Sequence, residues 1–279
     1  MIGPLFAFGT LLSWSISDLI CKVALKQQTL WFVSVWGQLI GGIGIIVLGI
    51  SLGEIREIPI KSWNWIVLFS ALNTLGIFFF YKAIQHKGVA LTLPIIYSWS
   101  VPTIVLSLIF LNQHPSPLEW MGVGFILMGI FCVGLDTTSK RWMDQGALAA
   151  LISMLIWGVF YFFIGSPSEA YGEWWIAGSL KIGTALLSFP FLVYEQNSRS
   201  SKKEKIFYEV GLIGMLDALG LVALTKAFQE SSTAIVTGIT STTPVFVALF
   251  GIFIFKERVN RQQALGILST VAGLILLVI

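Results

Sequence analysis

The sequence predicts an all-α polytopic membrane protein with ten transmembrane helices, built as two inverted five-helix repeats. Composition, the rhythm of apolar runs and an internal self-match carry that prediction. Of 279 residues, 56% are apolar and 11% charged, with a mean hydropathy of +0.86, whereas a soluble domain is about 25% charged. A helix needs roughly 20 residues to cross a bilayer, so ten spans with short loops use nearly the whole chain and leave no room for a soluble catalytic domain. The formal charge of +3 excludes a nucleic-acid binder built on a basic surface. Cys21 and Cys132 lie in or beside apolar stretches and are too few for a disulfide framework. The runs are continuous, not alternating, which argues against a transmembrane barrel.

The first span, 3–22, has no basic residue ahead of it and no small-x-small cleavage site after it, so it reads as a genuine helix and not a signal peptide. Trp14, Asp18 and Lys22 share one of its faces. The second, 30–52, carries Gly37, Gln38 and Gly41, and the third, 63–82, carries Asn73. In the fourth, 89–111, Pro94, Ser98 and Pro102 recur every four residues. The turn Gln113-His114-Pro115-Ser116-Pro117 leads into the fifth, 118–135, whose Gly122, Gly124 and Gly129 read as helix-packing glycines. The sixth, 146–165, holds Trp157, and the seventh, 174–194, holds Lys181 about two turns in. After the longest polar loop, Gln196 to Lys205, the eighth span, 207–226, holds Asp217 near its middle. The ninth, 232–255, aligns Thr233, Thr237, Thr240 and Pro244 on one face, and the tenth covers 261–279. Trp31, Trp63, Trp65, Trp120, Trp142, Trp174 and Trp175 sit at span ends, where an aromatic belt is expected.

Sliding the sequence over itself relates the halves. At an offset of 144, Leu72, Gly76, Lys82, Gln85, Gly122 and Gly129 fall on Leu216, Gly220, Lys226, Gln229, Gly266 and Gly273; at 143, Trp14 and Trp31 fall on Trp157 and Trp174. The match has force because uncommon residues stay in register with one residue of slip. Residues 1–138 form the first half and 139–279 the second. Five helices per half is an odd number, so the second half enters the membrane upside down, the plan of many secondary transporters.

Thr243-Pro244-Val245, then Phe255-Lys256-Glu257-Arg258, then Gly266 and Gly273 resemble the proline, the helix-end Glu-Arg and the spaced glycines that close each repeat of EamA-type transporters, in the drug/metabolite transporter superfamily. The likeness covers essentially the whole chain. The first half departs from the pattern, with Asn112-Gln113-His114 at the corresponding helix end. The resemblance implies a transporter of small metabolites with a central cavity between the halves, and it does not name the substrate. Thirteen of the seventeen Lys and Arg residues fall on one side of the membrane, which by the positive-inside rule puts both termini outside. Members of the family are generally pictured with both termini in the cytoplasm; the charge count is preferred, with the chain in a cell (inner) membrane.

A charge at the bilayer centre costs about 2.5–3.5 kcal/mol, so Lys181 and Asp217 should pair or face water. Their repeat counterparts are Gln38 and Asn73, a neutral amide pair, which makes the enclosed cavity asymmetric in charge. Either Lys181 binds a carboxylate or phosphate group, or Asp217 takes a proton or a substrate amine, or the two form a salt bridge that locks the seventh span to the eighth. Asp18 either neutralises Lys22 near the interface or faces the cavity beneath Trp14. Trp14, Trp99 and Trp157 sit near mid-span, where they line a site or pack the core. Ser98 and Thr237 complete the candidate substrate-binding set, and Pro94, Pro102 and Pro244 are hinge candidates; otherwise these hydroxyls bond their own helices and the prolines only bend them.

His86 and His114 stand in loops without a carboxylate or cysteine cluster, and no Gly-rich phosphate cradle or Ser-His-Asp grouping is visible. No catalytic residue, metal or cofactor is therefore expected, with proton coupling left open. The chain reads as a secondary carrier that moves a small polar or amphipathic metabolite (an amino acid, an aromatic compound or an organic amine) by alternating access. A passive channel, a structural polytopic protein and, more remotely, a membrane-embedded enzyme are the competing readings. Its partners are that metabolite and membrane lipid, with no nucleic acid; the oligomeric state is left open.

Overall fold

The computed structural model describes residues 2–55, 57–87, 93, 95–111, 115–134, 145–196, 207–247, 250 and 261–278. They form α1 (Ile2–Ala24), α2 (Leu30–Ser51), α3 (Trp63–Lys87, entered through a 3-10 turn at Ile60–Ser62), α4 (Ser100–Phe110), α5 (Pro117–Gly134), α6 (Gln145–Tyr171), α7 (Glu173–Gln196), α8 (Phe207–Glu230), α9 (Thr233–Thr240) and α10 (Arg261–Val278). Pro94, Trp142, the stretches Asn112-Gln113-His114 and Phe255-Lys256-Glu257-Arg258, the loop after Gln196 and the division after residue 138 lie outside the described residues.

Helix starts follow side-chain chemistry. Thr29 caps α2, its Oγ1 accepting from Phe32 N at 3.3 Å, and Ser232 caps α9, accepting from Ile235 N at 3.5 Å. Ser116 and Glu119 form a capping box at α5, with Glu119 N donating to Ser116 Oγ at 3.2 Å and Ser116 N to Glu119 Oε2 at 2.6 Å. Gly172, at φ +89°, makes the turn between α6 and α7, a conformation open to glycine.

Some helices run longer than the apolar spans, ending at Lys87, Tyr171 and Glu230 for α3, α6 and α8. A lysine near a helix end keeps helical backbone while its amine reaches outward; Lys226 Nζ lies 3.3 Å from Glu173 Oε1. The fourth and ninth spans are instead each broken. The chain turns at Ser98–Trp99 before α4 and at Ser241–Thr242 after α9. Ser241 Oγ donates to Tyr97 O at 3.0 Å, and these two residues are 144 apart, so the two breaks are repeat equivalents that touch each other. Pro102 occupies the first turn of α4 and Pro244 the first turn of the helical segment 243–247, where a proline removes no helical hydrogen bond.

The helices pair across the halves: α1 with α8, α3 with α6 and α7, α2 with α7 and α8, and α5 with α10. Exchanging each helix for its equivalent five places along maps this pairing onto itself, α1–α8 becoming α6–α3 and α2–α8 becoming α7–α3. Along α2 and α7, Gln38 meets Lys181, Gly42 meets Gly178 and Gly49 meets Trp174, so the two run antiparallel. Along α5 and α10, Gly129 faces Thr270 and Gly273 faces Gly122, with the same result. A helix antiparallel to its own equivalent is what an inverted repeat requires.

Six helices (α1, α2, α3, α6, α7 and α8) are long and apolar enough to cross a membrane, with shorter apolar helices beside them. They are apolar on both faces. Leu11, Phe69, Phe160 and Ile176 are buried in the core, while Leu186 and Leu268 expose 66% and 65% of their surface, the pattern of helices solvated by lipid. Two residues depart from the roles read in the sequence. A Cβ at Gly124 would meet nothing within 4 Å, so this glycine packs no helix. Trp175 is buried, its Nε1 donating to Ser62 Oγ at 2.8 Å, and holds α7 to the start of α3.

Candidate substrate cavity

The interfaces between α1, α2, α3, α6, α7 and α8 enclose a cavity of about 60 Å³, room for a few waters. Within it Lys181 Nζ lies 2.6 Å from Asp217 Oδ2, the two side chains being 2% and 31% exposed. Gln38 braces the pair: its Nε2 donates to Asp217 Oδ2 at 2.8 Å, and its Oε1 accepts from Lys181 Nζ at 3.3 Å and from Asn73 Nδ2 at 3.4 Å. Asn73 Nδ2 also donates to Thr184 Oγ1 at 3.2 Å. These contacts offset the desolvation of a buried ammonium, which is otherwise severe. Lys181 touches Gln38, its own repeat equivalent, so the network straddles the pseudo-two-fold axis and takes residues from both halves.

Asp18 is in the same cavity and is 7% exposed. Its carboxylate accepts from Tyr97 Oη at 2.8 Å, bonding across to the turn before α4 and not along its own helix to Lys22. Trp14, Trp99 and Trp157 all line the cavity, together with Phe80, Tyr81, Tyr97, Phe160 and Tyr161. The rings of Trp99 and Tyr161 are 4.3 Å apart, those of Trp14 and Tyr161 5.6 Å, and those of Trp14 and Trp99 6.5 Å in an edge-on arrangement. Trp14 lies against Gly220 and Trp157 against Gly76, matched pairs in which a larger residue than glycine would collide with the indole. Trp14 Nε1 donates to Asp217 O at 3.3 Å. The Nε1 atoms of Trp157 and Trp99 are buried and have no hydrogen-bond partner.

Two of the residues singled out in the sequence stand away from this cavity. Thr237 Oγ1 donates back to Thr233 O at 2.7 Å within α9, the local satisfaction that a hydroxyl in an apolar helix finds most readily. Ser98 forms part of the break before α4. Conversely, Ser17, Cys21, Tyr81, Tyr97, Phe160 and Tyr161 line the cavity without having been singled out. One of them was within reach, because the offset of 143 carries Asp18 onto Tyr161 and repeats the Trp14–Asp18 spacing as Trp157–Tyr161. Lining residues on α1, α3 and α8 run from Trp14 to Cys21, from Asn73 to Tyr81 and from Ile213 to Leu221, so the cavity extends from mid-bundle toward the end where α1 and α3 finish. Among the described residues no three His, Cys, Asp or Glu side chains gather to hold a metal.

The EamA-like transporter family matches residues 1–135 and 144–279. An uncharacterized transporter of Synechocystis sp. is 24% identical over 311 residues, covering 99% of this chain and 88% of that protein. An uncharacterized transporter of Archaeoglobus fulgidus is 21% identical, covering 100% and 99%. A solved structure titled "Crystal structure of protein" has a TM-score of 0.81 at 16% identity over 98% of this chain and 94% of its own, a likeness of fold. With matches that run through both halves of the inverted ten-helix bundle, the chain belongs to the EamA-like transporter family.

Proposed function

We propose that this protein is a secondary carrier that moves a small polar or amphipathic metabolite, in the class of amino acids, aromatic compounds and organic amines, by alternating access. The observation that carries this reading is the Lys181–Asp217 pair braced by Gln38 where the two halves meet. An ammonium or carboxylate on a substrate can replace one member of that network, and doing so changes what holds the halves together near the bilayer midplane. The aromatic walls suit the apolar body of such a molecule, and their faces suit a cation. Pro102 and Pro244 stiffen the helices beside the two touching breaks, which serve as the hinge, with Pro94 assigned to it from the sequence. In this reading no metal or cofactor takes part, and proton coupling stays open. The halves divide after residue 138, the basic loops face the cytoplasm and both termini lie outside the cell membrane.

Counterflow in proteoliposomes tests the proposal. Saturable uptake accelerated by substrate on the opposite side is expected, with Asp217→Asn and Lys181→Ala each lowering it at least tenfold while the protein still inserts. Flux linear in concentration would make it a channel, and vesicles inert to a broad metabolite panel would leave only a structural role.

A further inference from the structure

The acidic and basic side chains of the cavity are unequal in number. Its lining residues include two carboxylates, Asp18 and Asp217, and one ammonium, Lys181. Lys181 Nζ is committed to Asp217 Oδ2 at 2.6 Å and to Gln38 Oε1 at 3.3 Å. Asp18 is held by a single neutral donor, Tyr97 Oη at 2.8 Å, and among the described residues no cation pairs with it. A buried carboxylate is costly unless it is paired and fully hydrogen-bonded, and one phenol fills only a fraction of its acceptor sites. What surrounds it is what a cation requires, since Trp14, Tyr97, Trp99 and Tyr161 crowd the same space and present electron-rich faces. A second, independent observation also points to a ligand. Trp99 is fully buried in this wall, and its Nε1 has a proton to donate and no acceptor.

We infer that Asp18 anchors a subsite for a protonated organic amine. The ammonium sits between the Asp18 carboxylate and the rings of Trp14, Trp99 and Tyr161, and a hydroxyl or carbonyl oxygen of the same ligand takes the unpaired N–H of Trp99. With both carboxylates ionised, a ligand of net charge +1 brings the cavity to neutrality, a zwitterion leaves one negative charge in excess, and an anion deepens it. The space of about 60 Å³ matches the ammonium end of such a molecule, and the rest of the ligand enters as the halves part. The inference rests on the carrier reading above and narrows its substrate class.

Three molecules of one shape and different charge test it: tyramine, tyrosine and 3-(4-hydroxyphenyl)propanoate. Radiolabelled tyramine is expected to bind the purified full-length protein saturably. Tyrosine should displace it at least tenfold less well than unlabelled tyramine, and the propanoate should not displace it. Asp18→Asn should weaken tyramine binding at least tenfold. Absence of saturable binding, equal displacement by all three, an Asn variant within twofold of the parent, or displacement by sodium at tyramine's own concentration would each overturn the subsite. If Asp18→Asn does not fold, the displacement order on the unaltered protein decides. Saturable vesicle flux without Asp18-dependent amine binding would sink the subsite and spare the carrier. Asp18-dependent binding in inert vesicles would do the reverse.

Discussion

Lys181 and Asp217 share a hydrogen bond but not an environment, being 2% and 31% exposed. Removing Asp217 strands an ammonium away from water, whereas removing Lys181 leaves a carboxylate that keeps both water and the Gln38 amide. Asp217→Asn is therefore expected to destabilise the protein by about 3–5 kcal/mol and Lys181→Met by about 1–2 kcal/mol, with much of the loss recovered in Lys181→Met combined with Asp217→Leu. Thermal unfolding of the detergent-solubilised protein gives the order, and equal losses would mean that both groups are wet. The ionised pair and its amide counterparts were legible in the sequence because intramembrane charges are rare and conspicuous. The phenols were not. Aromatic residues face lipid and core alike here, Phe163 being exposed and Phe160 buried three positions before it, so type and spacing alone do not separate Tyr161 from its neighbours.

Among the elements, α2 and α8 approach until their backbones touch. A Cβ on Gly214 would meet the carbonyl of Gly37, and one on Gly41 the carbonyl of Gly214. Gly214→Ala is expected to cost about 1–3 kcal/mol by overpacking, while Gly124→Ala, with nothing within 4 Å, should change stability by less than about 0.5 kcal/mol. Matched melting curves check the contrast, and indistinguishable curves would show that close approach is not what holds these helices. Since Gln38 and Asp217 bond across the same interface, the first variant should also lower flux. The spans themselves were readable as continuous apolar runs. The breaks at Ser98–Trp99 and Ser241–Thr242 were legible only as hinge candidates at the neighbouring prolines, because neither turn contains glycine or proline itself. Hydroxyls stabilise the second break instead, Thr242 Oγ1 donating to Ile239 O and Thr243 Oγ1 to Thr240 O, each at 2.7 Å, a substitute for lost helical bonds that leaves no turn signature.

For the whole molecule, the cavity extends from mid-bundle toward one end, and toward the opposite end Gly3 of α1 lies against Ser231. In the carrier proposed above, passage through the bundle requires α1 and α8 to part on this side. A disulfide between Gly9→Cys and Ala223→Cys, whose Cβ atoms would stand 4.0 Å apart across α1 and α8, is expected to stop flux when oxidised and release it when reduced; flux indifferent to oxidation would place the moving interface elsewhere. The upside-down arrangement was legible from Trp, Lys and Gln residues recurring at one spacing, since such residues seldom coincide by chance in an apolar chain. The contact of Lys181 with Gln38 at 3.3 Å has a consequence of its own. A position lying on a two-fold axis confronts itself, and identical ionised groups there would repel at close range in a poorly screening medium. One lysine facing one glutamine is an arrangement that only two unlike halves can offer. At this residue the halves cannot be exchanged for one another, whatever symmetry their backbones keep.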